Sequence, residues 1–509
     1  MQNITQQYGI GMDPSRNING QSMRGGVARG ENAFPKWLSQ YSIVAYLLAF
    51  MTVSLMYSAY SMPWYFMLSG VVAIFVFFLY GSTVTKNMSL TRIRKPLVFE
   101  KRLFLYSFIP RLLLTLLLYW VFQANYGDAF GFESGDSLYY NMMGEFVADL
   151  INNGNFNFID EISHWNGGND DIADMGYGIY VGFIYYLTGN SILVVRIIKC
   201  ILSSLTVLII YRHAKRNFGE QTGRLTAIFC ALWPNFWYYC AVHLKETEMV
   251  FLAVLFVEQA DQMLRSRQFT AWKVIPVLLI ASAMFTFRTP LGIVALLSLV
   301  FSVVMSSSRI VSWGKRVIVG FLAILLIWGV AGNRIQEQSR SLIEQVQSDQ
   351  QKENMEWRAK RDNGNSLAKY AGVSVFAPMI FTLPFPSMVR PFDGQDPQQF
   401  LNGGNFIKNI MSGLTIFAMI MLLMSGKWRE HLLPLSFMLG YLVVLAMSNF
   451  AQSERFHQPA MPFELMFAAY GLSVAVTNKK YKRWFTYWCA LMFIATIAWN
   501  WFKMKGRGL

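Results

Sequence analysis

Asp136 stands in the stretch GFESGDSLYYNMMGEFVADL, residues 131–150, between two apolar regions of the chain. Other polar groups that could act with it fall at a few distant turns. CAVHLKETEMVF carries His243, Lys245, Glu246 and Glu248, and FTFRTPLG carries Arg288. PFPSMVRPFDG carries Arg390 and Asp393, and FAQSERFHQPAMPF carries Glu454, Arg455 and His457. A positioned carboxylate can take the proton of a hydroxyl. Cations suit phosphate, arginine above all, because its planar fork donates in pairs. Such cations can hold an anionic lipid head group while a carboxylate acts on a second molecule. Each charge also has a structural reading. Asp136 can cap the first-turn amides of the helix that follows it, and a charged side chain at a helix end can snorkel and anchor a span. Arg196 and Lys199, in SILVVRIIKC, could join the cluster, although snorkelling is the stronger reading for them.

Several chemistries are excluded. No Walker A loop, dinucleotide-binding glycine pattern, His-x-x-x-His or Cys-x-x-Cys site occurs, so no nucleotide cofactor is expected. The five histidines, at 164, 213, 243, 431 and 457, are too scattered for a metal site evident in sequence. A divalent cation on Asp136, Glu246 or other carboxylates stays open. Cys200, Cys230, Cys240 and Cys489 lie in or beside apolar spans, with neither metal-ligand nor disulfide spacing.

The elements that must position these residues follow from composition. Of 509 residues 54% are hydrophobic, 16% aromatic and only 14% charged, against roughly a quarter charged in soluble domains. Apolar runs approach the roughly 20 residues that cross a bilayer core. The expected fold class is all-α: a polytopic transmembrane bundle of about 13 spans, with extracytoplasmic loops carrying juxtamembrane helices. The spans are placed at 41–60, 62–82, 103–123, 190–211, 225–241, 247–264, 272–286, 290–308, 317–332, 406–425, 432–450, 459–477 and 484–502. Pro110 and Arg111 suggest that the third starts with an interfacial piece.

The net charge of +15 sits in short loops rather than in a basic domain, which excludes nucleic acid as a partner. With the N-terminus in the cytoplasm, TKNMSLTRIRKPLVFEKR, YRHAKRNFGEQTGR, RSR at 265–267, SSSRIVSWGKR, GKWRE and NKKYKR all fall inside, as the positive-inside rule requires. Lys503, Lys505 and Arg507 are the exception, and they leave the last span's orientation open. Residues 125–175 hold ten acidic side chains and no Lys or Arg, so that loop belongs outside. Within it Leu138, Met142, Phe146 and Leu150 recur every four residues, with Tyr139, Met143, Val147 and Ile151 beside them and Asn141, Glu145 and Asp149 opposite. This is an amphipathic helix suited to lying on a membrane surface. The chain thus divides into a flexible cytoplasmic tail (1–38) without a signal-peptide h-region and a transmembrane module (39–332) with the acidic outer loop 125–188. An outer loop with a helix and a proline-broken re-entrant or interfacial segment follows (333–405), then C-terminal helices (406–509).

This layout resembles the GT-C superfamily of polytopic glycosyltransferases, in particular protein O-mannosyltransferases and the lipid A aminoarabinose transferase. Asp136 in GDSLYYNMMGEF matches their loop aspartate ahead of a juxtamembrane helix. GYGIYVGFIYYLTGNSILVVRIIKCILSSLTVLIIYRHAKRNFG resembles their next element, and ALWPNFWYYCAVHLKETEMVFLAVLF their Pro-then-Lys-Glu pattern. FRTP and SERFHQPAMPF resemble later Arg-Pro and Arg-x-x-x-Pro elements. The match is good over 103–310 and looser over 430–480. Two departures mark a distant member: the usual Asp-Glu pair reads Asp136-Ser137, and two spans precede the one that leads into the loop.

The resemblance implies a polyprenyl-phosphate sugar donor and transfer to an acceptor hydroxyl on a glycan, lipid or protein at the extracytoplasmic face. The expected location is a bacterial inner membrane. Asp136 would be the general base, and Lys245, Arg288 and Arg455 would bind the donor phosphate. His243, Glu246, Arg390, Glu454 and His457 would bind substrate or support those groups. An oligosaccharide polymerase or ligase using a polyprenyl-diphosphate glycan is one rival. A lipid or solute transporter is another, but it should show internal repeats and polar breaks at mid-membrane. A non-catalytic membrane scaffold is the third.

Overall fold

The computed structural model describes residues 79–131, 135–165, 175–266, 271–306, 405–447, 454–477 and 479–505, with isolated positions at 44, 48, 51, 52, 55, 77 and 314. The spans expected at 41–60 and 317–332, most of 62–82, the tail and the 333–405 loop lie outside these residues. Among the described residues every regular element is helical. The protein is an all-α membrane bundle.

Helix α1 (Pro96–Tyr126) continues through Pro110 and Arg111. Arg111 is fully buried. Its guanidinium points into the bundle and donates to Ser203 Oγ at 3.0 Å, Ser107 Oγ at 2.6 Å and the Cys230 carbonyl at 3.1 Å. A buried cation with so many acceptors does not need the interface.

The acidic loop folds into three short helices, α2 (Gly135–Asn152), α3 (Phe158–Trp165) and α4 (Met175–Thr188). Then come α5 (Ile192–Phe218), α6 (Glu220–Leu232), α7 (Pro234–Ala241), α8 (Glu246–Arg265), α9 (Ala271–Phe287) and α10 (Thr289–Met305). The span expected over 225–241 is two helices, because Trp233 turns extended and Pro234 starts α7 afresh. Beyond the undescribed stretch lie α11 (Asn405–Met424), α12 (Leu432–Met447), the single turn α13 (Glu454–His457), α14 (Met461–Thr477) and α15 (Lys479–Lys505). Four stretches are by themselves long and apolar enough to cross a membrane: Pro96–Tyr126, Ile192–Phe218, Ile407–Met424 and Arg455–Val476. Shorter apolar helices at Trp272–Phe287, Thr289–Met305 and Leu432–Leu445 accompany them.

Helix α8 lies at the centre, packed against α5, α9 and the turn after α13, and α14 fits between α11 and α6. Helix α2 packs along α4 with the second of its two apolar rows turned inward. Tyr140, Met143, Val147 and Ile151 are buried, whereas Leu138 and Met142 are exposed. Asn141, from the expected polar stripe, is also buried, where it accepts from the Tyr185 hydroxyl at 2.6 Å and donates to Glu145 at 2.9 Å.

Candidate functional site

Asp136 lies in the first turn of α2, and its side chain is 56% exposed. Arg455, from the short helix α13, donates through Nη1 to Asp136 Oδ2 at 2.5 Å. Through Nε the same guanidinium donates to Glu246 Oε1. Glu246 is fully buried in the first turn of α8, where the amide dipoles favour a carboxylate. One arginine therefore joins two carboxylates that stand 110 residues apart in sequence.

Lys245 precedes Glu246 and is nearly buried. Its Nζ donates to the Phe287 carbonyl at 3.0 Å and lies 5.5 Å from the centre of the Tyr140 ring. Burial, reinforced by the nearby Arg288 cation, pushes its ammonium down to about 7. Burial and the Glu246 charge push the Tyr140 hydroxyl up, so it stays protonated. Arg288, in extended conformation just before α10, places its guanidinium carbon 3.9 Å from the centre of the Phe456 ring. Arg455 lies 5.4 Å from the same ring, so Phe456 holds both arginines by cation–π contact. A small cavity, with room for about one water molecule, reaches inward from Glu246 and Gln458 to Ser203, Thr206 and Tyr239.

Asp136, Lys245, Glu246, Arg288 and Arg455 thus come together. Two other residues expected at the site are buried. His243 is a core residue: it is fully buried, and ring centres of Tyr177, Phe130 and Tyr185 lie 5.9, 6.0 and 6.3 Å away. Burial, helped by Lys199 and Arg196, pushes it well below the usual histidine range, so it is neutral at physiological pH. His457 is buried too, and its Nδ1 accepts from Lys408 Nζ at 2.7 Å. The backbone of Glu454 belongs to α13, and Arg390 lies outside the described residues.

Sequence reasoning missed Tyr140, Phe456 and Lys408. Lys408 is an isolated cation at the start of an apolar run, and that was its available signal. Arg196 and Lys199 do not snorkel. Both are fully buried, with Arg196 Nη2 donating to the Ala129 carbonyl at 2.8 Å. Among the described residues no group of three or more His, Cys, Asp or Glu side chains is arranged to hold a metal ion.

Residues 177–337 match the family model described as dolichyl-phosphate-mannose-protein mannosyltransferase. That match supports membership of the GT-C type of membrane glycosyltransferases. The matched stretch carries His243, Lys245, Glu246 and Arg288, whereas Asp136 and Arg455 stand on either side of it. No curated protein and no solved structure matches the chain.

Proposed function

We propose that this glycosyltransferase moves a sugar from a polyprenyl-phosphate donor to an acceptor hydroxyl at the extracytoplasmic face of the membrane, a bacterial inner membrane in the expected setting. The observation that carries the reading is the meeting of Lys245, Arg288 and Arg455 beside Asp136, on segments far apart in the chain. Three cations face two carboxylates, Asp136 and Glu246, and the surplus positive charge suits a phosphate. Asp136 is the exposed member of the group, as a base that must meet an acceptor should be.

In the proposed reaction the acceptor oxygen forms a bond to the sugar's anomeric carbon while its proton passes to Asp136. The bond from that carbon to the phosphate oxygen breaks, and the polyprenyl phosphate leaves with the electron pair. Lys245, Arg288 and Arg455 offset the charge it gains. A phosphate that draws Arg455 toward itself also frees the Asp136 oxygen to accept the proton. Glu246 stays bonded to the Arg455 Nε throughout. The acceptor is a glycan, lipid or protein hydroxyl.

Two measurements test this. Mass spectrometry of lipid co-purifying with the protein should find a polyprenyl monophosphate or its sugar. A polyprenyl-diphosphate oligosaccharide would favour a polymerase or ligase instead. Asp136→Asn should bind the donor lipid and lose transfer by at least about a hundredfold, whereas full activity in that variant would sink the general-base role.

A further inference from the structure

We propose that Lys199 is a positioning residue for the phosphate-binding turn: its buried ammonium fixes residues 242–244 and so sets where Lys245 and Glu246 stand. This rests on the donor-phosphate role given to Lys245. Lys199 projects from the second turn of α5 and is fully buried. Its Nζ donates to the Val242 carbonyl at 2.9 Å and also to the Leu244 carbonyl. The same nitrogen stands 3.8 Å from the carboxylate of Glu248 in the first turn of α8. An ammonium has three N–H donors, and two of them are spent on carbonyls of the connection between α7 and α8.

The chain needs such a group at this place. Helix α7 ends at Ala241 and α8 begins at Glu246, so the backbone between them leaves the helical hydrogen-bond ladder. Carbonyls at such a break lack intrahelical donors, and leaving them unpaired away from water is costly. Lys199 supplies both donors from one head group. One further bond tightens the same connection: Thr247 Oγ1 donates to the Tyr239 carbonyl at 3.0 Å. The Tyr177 ring, centred 5.7 Å from the Lys199 nitrogen, closes one side. Lys199 therefore acts on the site through the backbone that carries Lys245 and does not itself meet the donor.

The test combines Lys199→Met, Lys245→Met and the double variant of the intact protein in detergent, with undecaprenyl monophosphate as the binding probe. Lys199→Met should raise hydrogen exchange at amides 242–248 by at least about tenfold and leave α11 unchanged. It should weaken probe binding by about ten- to a hundredfold, the size expected for a group displaced by an ångström. It should raise the KM for donor more than it lowers kcat. The double variant should bind no worse than Lys245→Met, because a residue acting through Lys245 has nothing left to position. Additive losses, or unchanged exchange at 242–248 in folded Lys199→Met, overturn the proposal. Should Lys199→Met fail to fold, the near-isosteric Glu248→Gln takes its place. It should raise the same local exchange, and unchanged exchange there also overturns the proposal. If Lys245→Met binds the probe normally, the donor-phosphate reading fails instead, and the exchange measurement still decides whether Lys199 holds the turn.

Discussion

Lys245 is the residue whose ionisation links the site to pH. Its ammonium is held near 7, far below the usual lysine value of about 10.4. Between those values the unfolded chain binds a proton that the folded chain lacks, so this group's contribution to stability rises with pH across the window. Binding runs the other way. A phosphate favours the charged form, so the donor should bind with proton uptake near pH 7 and lose affinity as pH climbs toward 9. Calorimetry in buffers of different ionisation enthalpy checks this, and Lys245→Met should abolish the uptake. Arg455 carries a different expectation. Arg455→Met leaves the fully buried Glu246 without its guanidinium and should destabilise the protein by about 3–5 kcal/mol. Asp136→Asn, on an exposed side chain, should change stability by less than about 1 kcal/mol. Thermal unfolding of the two variants in one detergent separates them. These charges could be found in sequence because cations are rare at the outer turns. Tyr140 and Phe456 could not, since an aromatic in an apolar chain looks the same whether it packs on lipid or under a guanidinium.

Helix α2 shows how an element sets the site, and where periodicity stops being informative. Counting every fourth residue finds apolar rows at both Leu138–Met142 and Tyr139–Met143, with nothing to say which faces protein. The decision comes from α4. A Cβ on Gly178 would lie 2.1 Å from the Met143 sulfur, and one on Gly182 would lie 2.4 Å from a Val147 methyl. The two helices approach so closely because those positions have no side chain, a common device between membrane helices. The neighbours differ in what they can yield. Met143 is flexible and can swing its sulfur aside, whereas Val147 is β-branched and stiff. Gly182→Ala should therefore cost more than Gly178→Ala, within the roughly 1–3 kcal/mol of an overpacked contact. By pushing α2 outward it should also lower transfer more. Melting temperature and initial rate for the two variants give the order, and equal effects would mean that the helices are not in this close register. The break between α6 and α7 is the opposite case. Pro234 announces it in sequence, but the apolar run continuing on both sides hides it.

At the scale of the molecule, two charged clusters stand at opposite ends of α8. One end holds Asp136, Lys245, Glu246, Arg288 and Arg455. The other holds a paired network in which Arg216 donates to Glu258 Oε2 at 2.6 Å and to Asp261 at 2.9 Å. In the same network His213 donates to Glu258 at 2.9 Å, and Arg265 bonds Asp261 at 2.8 Å. The sequence read α8 as an ordinary span because Glu258 and Asp261 sit in its last turns. Their partners His213 and Arg216, on the last turns of α5, are 42 to 48 positions away and come into register only on folding. Helix α1 is 31 residues long, about 46 Å at 1.5 Å per residue. It therefore exceeds the roughly 30 Å hydrocarbon core and exposes its basic start and polar end on opposite sides. The positive-inside rule assigns the basic end to the cytoplasm, and the proposed chemistry requires the other end to be outside. Labelling of single cysteines decides the orientation. In a Cys489→Ser background, Asn153→Cys, exposed just beyond α2, should react with a membrane-impermeant maleimide in cells whose inner membrane is intact. Lys101→Cys, exposed near the start of α1, should react only once that membrane is opened. The reverse pattern would put Asp136 in the cytoplasm, where an extracytoplasmic acceptor could not reach it, and would overturn the proposed function whatever lipid the site holds.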